Sequence, residues 1–119
     1  MITEDYVSFE TAKLLKEKGF KEPTLAYAYG QDMVGYYSQP KVTDDFNVEA
    51  GRFPLPTLQM ACKWLREVHD IEVSVIPLRS HKEYLPRIES DTISHDSVPC
   101  KKHEEACEIA IKYCLENLI

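Results

Sequence analysis

Cys100, His103 and Cys107 read C-x2-H-x3-C, and thiolates with an imidazole are the donors that zinc takes. A tetrahedral site needs more. The chain has no second C-x-x-C or H-x-x-x-H pair to complete it. The four cysteines, Cys62, Cys100, Cys107 and Cys114, are an even number, as two disulfides would require, but without a signal peptide their thiols are expected to stay reduced. Cys107 and Cys114 stand seven residues apart in a helical pattern, too far along its axis to bridge each other. They share a face with Ala110, Ile111 and Leu118, the setting of core thiols. The expectation is no metal and no cofactor.

Other constellations are thinner still. His69, His81, His95 and His103 are scattered over charged segments, where a solvated imidazole is the simpler reading. A Cys–His nucleophile is not favoured by any spacing. The carboxylate pairs Asp44-Asp45 and Glu104-Glu105 fall in a turn and at a helix start. Asp45-Phe46-Asn47-Val48-Glu49 has the first three oxygens of a calcium loop, but Ala50 stands at the position that needs Gly and Pro56 at the one that needs Glu. The glycines, Gly19, Gly30, Gly35 and Gly51, never adopt the spacing of a phosphate-binding loop. No residue is nominated as catalytic.

Two surface sets are nominated for binding. Tyr27, Tyr29, Tyr36 and Tyr37 crowd one short stretch, and aromatic rings on a sheet can stack single-stranded bases or fill a protein interface. Arg79, His81, Lys82 and Arg87 form a local basic set, with Glu83 and Glu89 interspersed. Phe46 and Phe53 add apolar anchors in the intervening segment.

Positioning these residues falls to a few elements. Ser8 suits the N-cap of a helix over 9–18, Gly19 the left-handed position after it, and Phe20 a closing contact with Leu15. Leu25, Tyr27 and Tyr29 alternate with Ala26 and Ala28, giving a strand with large residues on one face and small ones on the other. Gly30-Gln31-Asp32 turns it into Met33–Tyr37, so 24–37 reads as a hairpin. Residues 38–55 show no period and are expected to form a long loop punctuated by prolines. Leu58, Ala61, Cys62, Leu65 and Val68 mark one face of a helix over 57–69, with Trp64 at the edge of its contact. Ile71, Val73 and Val75 then alternate as a strand. Tyr84–Glu89 is a further strand, which Pro86 assigns to a sheet edge. Asp91–His95 adds a short one, and a last helix covers 102–118.

Composition bounds the function. At 119 residues with 44% apolar content the chain suits one domain with a real core. The net charge is −6, and neither half is basic: residues 1–50 hold 5 basic and 9 acidic groups, residues 51–119 hold 9 and 11. Bulk electrostatics thus disfavour nucleic acid and anionic membrane as partners. Met1-Ile2-Thr3-Glu4-Asp5 is acidic and has no apolar region of a secretory signal, and no run is long enough to span a bilayer, so a soluble cytoplasmic protein is expected.

Residues 1–20, from Met1-Ile2-Thr3-Glu4-Asp5-Tyr6 to Lys18-Gly19-Phe20, the block Pro56–His69, and the ending Glu104–Ile119 resemble a group of small proteins common in gut Bacteroidales genomes, often within prophage or other mobile-element regions. The resemblance implies a source and a genetic setting. It carries over no functional residue.

The expected architecture is a single α+β domain over 1–119, with three helices (9–18, 57–69, 102–118) packed on one face of a small, mainly antiparallel sheet. The expected function is a non-catalytic accessory or protein-interaction module of a phage or mobile element, with an unknown protein as partner and an open oligomeric state. The alternative is a nucleic-acid-binding accessory, and a Cys- or metal-dependent enzyme ranks third.

Overall fold

The computed structural model describes residues 3–119, apart from the side chains of Asp45 and Phe46. The α+β class holds, but the described residues form two antiparallel three-stranded sheets and four helices where one sheet and three helices were expected. The chain divides into two compact units, one ending at Thr57 and one running from Leu58 to Ile119.

In the first unit, α1 (Phe9–Glu17) starts where Ser8 accepts a hydrogen bond from the Thr11 amide at 3.2 Å. It ends as its sequence dictates: Gly19 takes φ +95° and the Phe20 amide donates back to the Leu15 carbonyl at 2.9 Å. Leu15 and Phe20 are both fully buried, which completes the apolar contact of this closure. Strands β1 (Thr24–Gly30) and β2 (Met33–Lys41) form the expected hairpin, with Asp32 in the left-handed region at the turn.

The supposed loop 38–55 is structured. Strand β2 continues through Pro40 to Lys41, because an edge strand tolerates a missing N–H. Helix α2 (Asp45–Glu49) is a single turn capped by Asp44, whose carboxylate accepts from the Asn47 amide at 2.8 Å. Gly51, at φ +91°, reverses the chain into β3 (Phe53–Leu55). Strand order is β2-β1-β3, which makes β1 the centre. Phe53 pairs with Ala28 on one face and meets the ring of Phe9 edge-on at 5.8 Å, so α1 covers the face carrying the buried Ala26 and Ala28. Alanine there lets the helix approach closely, and the large side chains of β1 turn the other way.

In the second unit, α3 (Leu58–His69) buries Leu58, Ala61, Trp64 and Leu65. Val68 departs from the expected stripe and is 56% exposed. Asp70 takes φ +56°, the Ile71 amide donates to the Leu65 carbonyl at 3.1 Å, and buried Ile71 occupies the core at the end of the helix in place of Val68. Strands β4 (Glu72–Leu78), β5 (Glu83–Glu89) and β6 (Ser94–Asp96) form a meander in the order β4-β5-β6.

Pro86 therefore lies in the central strand, not at an edge. Its carbonyl accepts from the Ser97 amide at 3.0 Å, so its ring nitrogen faces the end of β6, where the ladder is finishing and one missing donor matters least. Helix α4 (His103–Asn117) packs on β4 and β5, and α3 on β4 and α4. It buries Ala106, Cys107, Ala110, Ile111, Cys114 and Leu115 as its stripe foretells.

Candidate functional site

The tyrosines do not share one face. Strand alternation sends Tyr36 to the side of Ala26, its cross-strand partner, where it meets Tyr6 edge-on at 6.3 Å. Tyr27, Tyr29 and Tyr37 lie on the opposite side. There the ring of Tyr27 crosses Gly35, its partner on β2, so closely that a Cβ at Gly35 would stand 2.3 Å from the ring Cζ. From that seat Tyr27 reaches Tyr37 at 4.9 Å and Tyr29 at 6.2 Å between centroids. Two cations border the cluster: Arg52 lies 4.9 Å from the Tyr27 centroid and Lys41 lies 5.4 Å from that of Tyr37. The hydroxyl of Tyr37 is hydrogen-bonded to Thr43 at 2.9 Å, which fixes its ring.

Leu25 and Tyr29 complete this face. Although they belong to the central strand, they stay 46% and 49% exposed. With α1 on the other face of the sheet, this side is left to solvent, and Leu25 and Tyr29 join the Tyr27 cluster there as one apolar surface. Arg52 and Lys41 were not singled out in the sequence, because nothing in the local pattern links Arg52 to a strand twenty-five residues earlier. Leu25 was legible as part of the large-residue face.

The remaining nominated residues go elsewhere. Phe53 is half-buried against Phe9 in the first unit. The side chain of Phe46 lies outside the described residues. Arg79 and Lys82 are exposed in the β4–β5 turn, where Lys82 takes φ +54°. Arg87 leaves that set: it stands on β5 and holds Asp96 of β6 by two bonds, Nε at 2.9 Å and a terminal nitrogen at 3.2 Å. That fork holds the Asp96 carboxyl below the ordinary carboxylate range and raises the guanidinium further.

Cys107 and Cys114 are buried, as expected of core thiols. Cys100 is buried, in an isolated two-way bridge to Tyr84, and its Sγ donates to the Val98 carbonyl at 3.5 Å. Burial raises its thiol pKa, with Glu105 and Glu83 adding to the shift. His103 turns to the edge of Tyr84 at 5.6 Å. Cys107 meets Cys62 across α3 and α4, with 3.5 Å between sulfurs, so C-x2-H-x3-C is not a cluster. Among the described residues no group of three His, Cys, Asp or Glu side chains is placed to hold a metal ion. Among them, too, no helix is long and apolar enough to cross a membrane.

Comparisons with protein-family models, with curated proteins and with solved structures give no match to this chain.

Proposed function

We propose that the chain is a non-catalytic accessory module that binds a protein partner through the tyrosine face of the β1–β2 hairpin. The observation that carries this reading is the half-exposure of Leu25 and Tyr29 on a central strand, beside a cluster whose rings are held in place by Gly35, Thr43 and two cations. Rigid aromatic side chains flanked by arginine and lysine suit an apolar protein surface that carries a carboxylate at its rim. The likeness of the chain's two ends and of 56–69 to mobile-element proteins supports a phage or mobile-element setting.

Nucleic-acid binding is the second reading, and the tyrosine cluster is what favours it. Two features weigh against it. The rings of Tyr27 and Tyr37 are tilted 40° to one another and each already has a cation over it, so neither offers a bare platform for a base. The net charge of −6 adds repulsion along a phosphate backbone.

A photo-crosslinking residue at position 25, with a control at the exposed Glu67 of α3, tests the proposal in extract of the host. One protein adduct specific to position 25 and indifferent to nuclease is the expected result. A nuclease-sensitive adduct, or the same adducts at both positions, rejects it. Titration with single-stranded and duplex DNA at about 50 and 200 mM salt, a span over which phosphate contacts weaken strongly, is expected to give no tight binding.

A further inference from the structure

Cys62 and Cys107 are forty-five residues apart in sequence, yet their sulfurs stand 3.5 Å apart where α3 packs on α4. Cys62 is half-buried and open to small solutes, whereas Cys107 is 8% exposed. We infer that Cys62 and Cys107 are a redox-active dithiol, oxidised by hydroperoxides to a reversible disulfide that staples α3 to α4. This site is independent of the tyrosine face.

The contact that Cys62 makes is with Cys107, while Cys114 acts on Cys62 only through its charge. Cys114 lies seven residues beyond Cys107 on the same helix, about 10 Å along the axis, beyond the reach of a disulfide between them. Cys100 is turned to Val98 and tied to Tyr84. Exposure sorts the two sulfurs into roles. Cys62 is the half-buried sulfur, and Cys107 is the buried one against it. Cys62 is therefore the sulfur that meets a peroxide, as the thiolate that attacks it.

Chemically, the Cys62 thiolate attacks one oxygen of the hydroperoxide. The O–O bond breaks, and the other oxygen leaves as an alcohol, or as water from hydrogen peroxide, taking a proton. Cys62 is now a sulfenic acid. Sγ of Cys107 gives up its proton and attacks Sγ of Cys62, the S–O bond breaks, and water departs. Two thiols have lost two electrons to the peroxide, and one S–S bond has formed. In a reducing compartment the thiol pool reverses the step, so the bridge persists only under oxidant.

Trypsin places the four cysteines on four peptides, 53–63, 88–101, 103–112 and 113–119. The full chain, freed of reductant, is exposed to graded hydrogen peroxide, its free thiols are alkylated, and it is digested and mapped by mass spectrometry. The expected product joins 53–63 to 103–112, disappears with dithiothreitol, and survives Cys114→Ser. Its Tm should rise by about 5–15 °C over the reduced protein, as a loop of this length implies. Cys107→Ser should abolish the rise and leave a sulfenic acid on 53–63 that dimedone traps. Linkage of 53–63 to 113–119, formation of the bridge only in denaturant, or sulfinic acid on 53–63 without a bridge would each overturn the inference. The mapping needs only the wild-type chain, so a variant that fails to fold does not shelter it.

Discussion

The ring of Tyr27 lies across the backbone of Gly35, and a single methyl group there would collide with it. Gly35 is not in the left-handed region, so its absent side chain serves the ring rather than the chain's conformation. Gly35→Ala should push the Tyr27 ring aside, at about 0.5–1.5 kcal/mol for an off-rotamer side chain. It also gains about 0.5–1 kcal/mol from removing a strand glycine. Net stability should hardly change, while capture at position 25 should fall several-fold. Urea denaturation measured alongside crosslinking separates the two effects. A large loss of stability with crosslinking intact would refute this account of the face.

The helix ends offer a paired measurement. Gly19 and Asp70 are the left-handed residues that follow α1 and α3. Nothing lies within 4 Å of a Cβ built at Gly19, so Gly19→Ala should lose only backbone comfort, about 1 kcal/mol. Asp70→Gly should stabilise the chain by less than about 1 kcal/mol, because relief of the left-handed strain is partly offset by glycine's larger unfolded freedom. Opposite signs in chemical denaturation are the expected outcome.

Trp64 is 5% exposed and meets His69 edge-on at 4.7 Å. Trp64→Ala should remove about 3–5 kcal/mol, the range for deleting a buried aromatic ring. The wild-type emission should shift to the red on unfolding. Emission already at the wavelength of free indole in the folded state would contradict this burial.

Thiol labelling should reverse the order that the sequence suggests for Cys100, whose place after Pro99 looks like an open loop. Cys100 is buried, and burial pushes Cys114 up to about 12, so both should resist a thiol reagent near neutral pH until denaturant is added. Rapid native labelling of the 88–101 peptide would count against this.

The Arg87–Asp96 pair gives a pH signature of known sign. The folded state holds the Asp96 carboxyl below its unfolded value, so the pair's stabilisation is complete above the ordinary carboxylate range and fades as pH falls below it. Both groups are exposed, so the effect should be small and salt-sensitive. The stability difference between wild type and Asp96→Asn, followed by urea denaturation from neutral to acidic pH, should shrink toward zero at the acid end.

Legibility followed distance along the chain. Ser8, Gly19 and Phe20 act within a dozen residues, so their cap and closure could be read directly from the sequence. The alternation of Ala26 and Ala28 with Tyr27 and Tyr29 likewise revealed two unequal faces. Partnership between segments was hidden: the pattern of β1 and that of β4 do not say that they belong to separate sheets. Pro86 misled because the rule against proline in central strands assumes an unbroken ladder, and here Pro86 falls in the gap between the end of β6 and the Tyr84–Cys100 bridge. Arg52 over Tyr27 and Cys62 against Cys107 are long-range meetings of residues with ordinary local contexts.

Within the two sheets strands pair with partners near in the chain, while the isolated Tyr6–Thr57 bridge closes a longer loop. The β4-β5-β6 meander joins successive strands, and β3 returns to β1 from within the same unit, so the first sheet requires nothing beyond Leu55. Loop-closure entropy is correspondingly small for the β1–β2 hairpin and the meander, which favours their early formation. On a ribosome, every strand of the first sheet is available before the helix that begins at Leu58 has left the exit tunnel. The inner edge of β2 can thus pair with β1 early, which shortens the interval in which those backbone groups are open to other nascent chains.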